Sequence, residues 1–158
     1  MPQISTNRLS GLIETVAQAP YNGKADLPVI ASSLQKEVDD LFPIAETLQM
    51  LRFADIGGGD LCLTEPGHAF AEAEIDERKR LFRRQLLSYV PLAQHIRRVL
   101  DERASHTAPK SRFLDELEDY MVPEAAEQTL RAVTDWGRYA EAFAYDDEMA
   151  MFSLENPI

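Results

Sequence analysis

One glycine-lysine pair is the first place to look for phosphate chemistry. Gly23 and Lys24 form the sole Gly-Lys pair of the sequence. A phosphate-binding loop of the Walker type needs another glycine five residues before that pair and a Ser or Thr directly after it, because backbone N–H groups and the hydroxyl bind phosphate and Mg²⁺. Gln18 and Ala25 stand at those positions. The sequence therefore encodes no nucleotide-binding loop of this kind.

The histidines and the single cysteine are scattered. His68, His95, His106 and Cys62 show none of the His-x-x-x-His or Cys-x-x-Cys spacings that bring metal ligands together. No nucleophile has a base at motif spacing. Cys62 sits in an apolar alternation, which favours a core position over a reactive thiol, and a lone cysteine fits a reducing compartment. We therefore predict no catalytic residue, no cofactor and no metal.

Charge is distributed unevenly along the 158 residues, whose net charge is -11. Residues 74–112 carry ten Lys and Arg against five Asp and Glu, whereas residues 1–73 carry four against ten and residues 113–158 carry two against twelve. The candidate partner-contact residues are charged and clustered: Arg80, Arg83, Arg84, Arg97, Arg98, Asp39 and Asp40. For the arginines the alternatives are a docking stripe and a solvated face with internal ion pairs. A membrane-surface role is opposed by the acidic flanks.

Three helices are predicted before any strand. The stripe of the first consists of apolar residues at helical spacing: Leu9, Leu12, Ile13, Val16 and Ala17. Asp26 is the predicted N-cap of a second, short helix. Asp39 or Asp40 is the predicted N-cap of a third helix, and Asp40 would place Pro43 in its first turn.

A change of period after the third helix predicts a β-hairpin. Residues 53–56 and 61–63 are short apolar segments on either side of the glycines at 57–59. Thr64 is the predicted N-cap of the next helix, and residues 76–90 form a basic helix after it.

The second half of the chain has the same order of elements. Pro91 and Pro123 are predicted at the first positions of two helices, and Ser111 is the predicted N-cap of a helix between them. Residues 139–145 and 149–154 alternate in polarity, which predicts a second hairpin.

This repeated order predicts the fold class. A mainly α (α+β) protein is expected, built from tandem winged-helix-like units of three helices and one β-hairpin each. The predicted boundaries are 8–73 for the first unit, 74–90 for a basic bridging helix and 91–155 for the second unit.

A winged helix first suggests DNA recognition through its third helix. Here the third helices are acidic, with Glu46 in the first unit and Glu124, Glu127 and Asp135 against one exposed Arg131 in the second. Carboxylates at that position repel a phosphate backbone. The charges therefore argue against nucleic acid and favour a basic protein surface.

Five sequence segments are distinctive: RLSGLIETV, EVDDLFPIAETLQMLRFADI, LTEPGHAFAEAEIDERKRLFRRQLLSYVPLAQHIRRVLDER, SRFLDELEDY and TDWGRYAEAFAYDD. They resemble the AAA-associated C-terminal domain that is appended to ATP-binding subunits of nitrate, sulfonate and bicarbonate-type ABC transporters. The resemblance covers residues 8–155. It brings no catalytic residues to this chain.

The resemblance implies a non-catalytic accessory or regulatory domain that docks onto ABC transporter ATP-binding and permease subunits. The expected location is the cytoplasm, at the inner face of the cell membrane through the transporter complex and without insertion. We expect the ATPase domain to be absent from this chain, which is then an excised domain or a separately encoded one. Analogy with paired transport ATPases allows a homodimer. The alternatives are a winged-helix DNA-binding regulator and a small-anion sensor with its site near Arg83 or Arg98.

Overall fold

The computed structural model describes residues 4–154, which form two compact units, residues 4–85 and residues 86–154. Eight helices and six short strands lie in this range, and each unit holds one three-stranded antiparallel sheet. The predicted mainly helical class with small sheets is confirmed. Residue 155, the predicted end of the second unit, lies outside the described range. Within that range no helix has both the length and the apolarity needed to cross a bilayer.

The N-terminal unit, residues 4–85, begins with a helix and ends within one. Its elements are α1 (Thr6–Ala17), β1 (Lys24–Asp26), α2 (Leu27–Ser33), α3 (Val38–Met50), β2 (Ala54–Gly57), β3 (Asp60–Leu63), α4 (Glu65–Glu72) and α5 (Ile75–Tyr89). The boundary between the compact units falls inside α5, after Gln85. The predicted three-part division of the chain stays a prediction.

The apolar stripe and two of the predicted caps position helices of this unit. The buried residues of α1 are Leu9, Leu12, Ile13 and Val16. The Asp26 carboxylate accepts a hydrogen bond from the Val29 N–H at 3.1 Å, and the Thr64 hydroxyl accepts one from the Gly67 N–H at 3.3 Å. Both predicted N-caps are therefore confirmed.

Helix α3 begins earlier than predicted. Its N-cap residue is Glu37, so the prediction of Asp39 or Asp40 as the cap is wrong. Both aspartates lie in the first turn, where a carboxylate is stabilised by the positive end of the helix dipole without being the cap. Pro43 consequently lies inside the helix, and because it has no N–H the carbonyl of Asp39 lacks its usual helical donor.

Strand β1 is the element of this unit that the sequence prediction lacks. It pairs antiparallel with β3, with Ala25 opposite Leu61, and β2 pairs with the other edge of β3, with Ile56 opposite Leu61. The predicted β2–β3 hairpin is confirmed. A strand of three residues is too short to show alternation, so only its pairing with β3 reveals it.

The C-terminal unit, residues 86–154, repeats this arrangement. Its complete elements are α6 (Pro91–Glu102), β4 (Thr107–Pro109), α7 (Lys110–Glu118), α8 (Pro123–Tyr139), β5 (Ala144–Asp146) and β6 (Met151–Ser153). The predicted positions of Pro91 and Pro123 at helix starts are confirmed.

Two boundaries in the C-terminal unit differ from the prediction. Helix α7 begins at Lys110 with Pro109 as its N-cap residue, so Ser111 is not the cap. The segment 139–145 is a strand only from Ala144 onward. Glu141 has φ 58°, and this left-handed residue closes the C-terminal turn of α8. The residues of that turn alternate in polarity as a strand does, which explains the wrong prediction.

Aromatic side chains fill the core of the C-terminal unit. Trp136, Phe113, Phe143 and Phe152 are fully buried. The rings of Phe113 and Phe143 meet that of Phe152 edge-on, with centroid distances of 5.4 and 5.5 Å. Edge-to-face rings add to the hydrophobic gain of burial and fix the sheet against the helices.

The two units match in backbone detail as well as in element order. Both have the order helix, strand, helix, helix, strand, strand, and in both the last strand lies in the middle of its sheet. Equivalent backbone hydrogen bonds, donor first, are Phe53–Leu48 and Ala142–Gly137, Leu63–Gly23 and Leu154–His106, and Leu27–Gly59 and Lys110–Ala150. The second unit is thus a structural repeat of the first.

Candidate protein-docking surface

Helix α5 carries the densest part of the basic segment and is fixed to the N-terminal unit along its apolar side. Phe82 is buried with its ring centroid 5.9 Å from that of Phe53. The buried Gln85 amide donates to the Leu51 carbonyl at 3.0 Å, at the C-terminus of α3. These contacts determine which residues of α5 point to solvent.

Arg78 belongs to the internal contacts of this unit. Its guanidinium binds the Glu14 carboxylate at 2.5 Å and donates to the carbonyls of Ala71 and Ala73, each at 3.1 Å. It also lies over the Phe70 ring, 5.0 Å from the centroid. The side chain is 19% exposed, so Arg78 joins α5 to α1 and α4 rather than facing a partner.

Arg80, Arg83 and Arg84 follow at helical spacing and share one side of α5. The Arg80 side chain is 59% exposed and pairs with Glu77 at 2.7 Å. Arg84 is exposed, with its Nε 3.3 Å from Gln85 Oε1, while Arg83 is half-buried. Arg80 and Arg84 are therefore the arginines of α5 that a partner reaches most readily.

Arg97, on α6, is bound within the C-terminal unit. Its Nη1 donates to the Ala142 carbonyl at 2.7 Å and its Nε to the Asp101 carboxylate at 3.3 Å. Because Ala142 follows the C-terminus of α8, Arg97 joins α6 to that turn.

Arg98 is exposed and oriented by a neighbouring histidine. Its Nη2 lies 3.3 Å from His95 Nδ1, and His95 Nε2 lies 2.8 Å from Glu116 Oε2. A guanidinium can only donate, so in this contact His95 Nδ1 is the acceptor and Nε2 donates to Glu116. This network positions the Arg98 guanidinium at the surface.

The predicted acidic contacts lie apart from these arginines in sequence, at the first turn of α3. Asp39 and Asp40 are both exposed. The same helix exposes Glu46 and 39% of Phe42. An acidic helix with an exposed aromatic ring is suited to a basic protein surface.

A charged groove of about 350 Å³ in the C-terminal unit was not predicted from the sequence. Its charged lining residues are Lys110, Glu127, Arg131, Asp135, Arg138 and Asp147. Ion pairs join Lys110 to Glu127 at 2.5 Å and Arg138 to Asp147 at 3.4 Å. These residues come from α7, α8 and the turn after β5, so no local sequence motif predicts the groove.

The surface of helix α8 carries charges of both signs. It exposes Arg138 in addition to the predicted Arg131, so it is mixed rather than wholly acidic.

The cysteine and His68 form no recognisable catalytic or metal site in the described part of the chain. Cys62 is half-buried, so its predicted core position is wrong: Leu61 and Leu63 take the inward positions of β3, and Cys62 lies on the other face. His68 lies against Gly23, where an added Cβ would be 2.5 Å from the imidazole Cε1. Across residues 4–154 no group of three or more His, Cys, Asp or Glu is arranged to hold a metal ion.

Comparison with known proteins identifies the family. The model of the C-terminal AAA-associated domain matches residues 28–146, which is more than half of the 158 residues. The chain therefore belongs to the C-terminal AAA-associated domain family and is an accessory domain linked to an ATPase. Comparison with curated proteins and with solved structures gives no match.

Proposed function

We propose that this chain is a non-catalytic regulatory domain of the ATP-binding subunit of an ABC importer for nitrate, sulfonates or bicarbonate, and that it acts by docking onto protein partners. Family membership supports the accessory role. The strings that resemble domains of those importers support the transporter class. The observation that carries the docking role is the outward side of α5, where Arg80 and Arg84 are exposed while Phe82 and Gln85 fix the helix.

Each unit is proposed to be winged-helix-like. The shared order of elements and the three-stranded sheet after the third helix support this assignment. A protein partner is favoured over DNA because the exposed residues of α3 include Asp39, Asp40 and Glu46. The partners we propose are the ATP-binding and permease subunits at the inner face of the cell membrane.

Crosslinking in the host tests the proposal. The tagged chain should recover an ATP-binding or permease subunit, and the double variant Arg80→Glu/Arg84→Glu should reduce recovery about tenfold or more, since reversing rim charges turns attraction into repulsion. Arg131→Glu is the matched control, because Arg131 is 58% exposed on a different helix. Arg98→Glu tests α6 without breaking the Arg97 bond to the Ala142 carbonyl.

Three results would contradict the proposal. Recovery of no transporter subunit removes the transporter role. Recovery that Arg80→Glu/Arg84→Glu and Arg98→Glu leave unchanged removes the arginines as the docking contact. Recovery of a second copy of this chain alone would indicate a homodimer instead.

A further inference from the structure

An apolar groove lies between α1 and α3 in the N-terminal unit, away from the arginines of α5 in sequence. It has a volume of about 210 Å³ and an almost wholly apolar lining. We call this site the α1–α3 groove. Its lining residues are Arg8, Gly11, Leu12, Thr15, Leu34, Lys36, Leu41 and Ile44. We propose that this groove docks a segment of a partner protein that presents one apolar side chain flanked by Asp or Glu.

Size favours an anchoring side chain as the occupant. Small-molecule sites usually enclose about 300–1,000 Å³, and this groove is smaller. Leu12, Leu41 and Ile44 are nearly fully buried and belong to the core, so they form a rigid floor. The Thr15 hydroxyl already donates to the Gly11 carbonyl at 2.8 Å, so its proton needs no hydrogen-bond acceptor from a ligand. A single aliphatic or aromatic anchor suits such a site.

The positive charges beside the groove favour Asp or Glu next to the anchoring side chain of the partner. Among residues 4–154, the charged residues that line the groove are Arg8 and Lys36, although the whole chain holds 27 Asp and Glu against 16 Lys and Arg. Both cations are exposed, and neither forms a salt bridge to any residue between 4 and 154. The Lys36 backbone is fixed by its N–H bond to the Ala31 carbonyl at 2.9 Å. Two unpaired cations beside an apolar floor complement an acidic segment.

Gly11 makes the groove accessible to mutation. It lies on α1, and a Cβ built there meets no atom within 4 Å. A larger side chain at this position therefore enters open groove space without disturbing the core, and it also favours the helix. The inference goes beyond docking through α5 and does not depend on it.

Peptide selection tests the groove directly. A display library of random peptides about 12 residues long is selected on the immobilised chain, and enriched sequences should carry Leu, Phe or Trp beside Asp or Glu. Their synthetic forms, measured by fluorescence polarisation, should bind Gly11→Leu and Arg8→Glu/Lys36→Glu at least about tenfold more weakly than the wild type. Gly57→Leu is the matched control, because Gly57 is equally open but lies on β2. Arg131→Glu, an exposed charge reversal in the C-terminal unit, should leave peptide affinity unchanged, which separates an effect at this site from an effect of total charge.

The proposal is overturned by any of three results. The first is a selection without acidic-apolar sequences, and the second is equal peptide affinity for wild type and Gly11→Leu. The third is a wild-type dimer, seen by sedimentation, that Gly11→Leu abolishes, because this would assign the groove to a second copy. Circular dichroism confirms folding of each variant. If Gly11→Leu does not fold, the Arg8→Glu/Lys36→Glu pair decides.

Discussion

Gly67 lies where α4 meets the backbone of the preceding segment. A Cβ at this position would lie 2.0 Å from the Phe53 carbonyl oxygen, which itself accepts a hydrogen bond from the Thr64 N–H at 3.0 Å. A backbone oxygen held in this way has little freedom to move. Close approach of two backbones, rather than flexibility, therefore requires glycine here.

The same substitution at two helical glycines should have opposite effects. Gly67→Ala is expected to lower the free energy of unfolding by about 1–3 kcal/mol through overpacking. Gly11→Ala should raise it by about 0.5–1 kcal/mol, because the helix gains and no atom is displaced. Urea unfolding followed by circular dichroism measures both. Equal effects at the two positions would show that the close contact at Gly67 is unimportant.

At the scale of elements, α5 shows how a basic segment divides into internal and external residues. Arg78 has three polar partners and a ring beneath it, while Arg80 pairs, among residues 4–154, only with its helical neighbour Glu77. Charge counting along the sequence cannot separate these two arginines. Their difference arises from where α1 and α4 pack.

Truncating these two arginines should separate their roles. Arg78→Ala is expected to cost about 1.5–3 kcal/mol, since it removes hydrogen bonds made by a mostly buried charged group. Arg80→Ala, the control on the same helix, should change stability by no more than about 0.5 kcal/mol. Arg78→Lys should restore only part of the loss, because an ammonium cannot reproduce the planar fork. Thermal unfolding of the three variants is the measurement, and equal losses for Arg78→Ala and Arg80→Ala would refute the division.

At the scale of the whole molecule, net charge favours a protein partner over DNA for the proposed winged-helix-like units. The chain carries -11, and its α3 exposes carboxylates. The mixed surface of α8, with Arg131 and Arg138 beside Glu127 and Asp135, adds no continuous basic face. Protein docking is the role that these surfaces favour.

Duplex DNA should therefore not bind. A gel-shift titration at about 50 mM salt should show no retarded band up to micromolar protein, because the helices that would enter the groove, α3 and α8, expose carboxylates that repel phosphate. The variant Asp39→Lys/Asp40→Lys/Glu46→Lys serves as a positive comparison and should gain weak, salt-sensitive binding. A wild-type shift that disappears with added salt would instead support the DNA-binding alternative.

The sequence determined the elements whose cause is local. The α1 stripe, the Asp26 and Thr64 caps, the prolines that open α6 and α8, and the β2–β3 hairpin follow from periodicity, capping and turn chemistry within a few residues. The mainly helical class and the repeated order of elements follow from the same patterns. Sequence segments typical of the C-terminal AAA-associated domain also indicated the family.

Tertiary structure decided everything that depends on a distant partner. Strands β1 and β4 have three residues each and exist through pairing with β3 and β6. The division between Arg78 and Arg80 depends on elements far away in sequence, as does the α1–α3 groove, whose lining comes from two helices and the turn between α2 and α3. A local pattern states which face of a helix is apolar. Only packing states what covers that face and which charges are left to solvent.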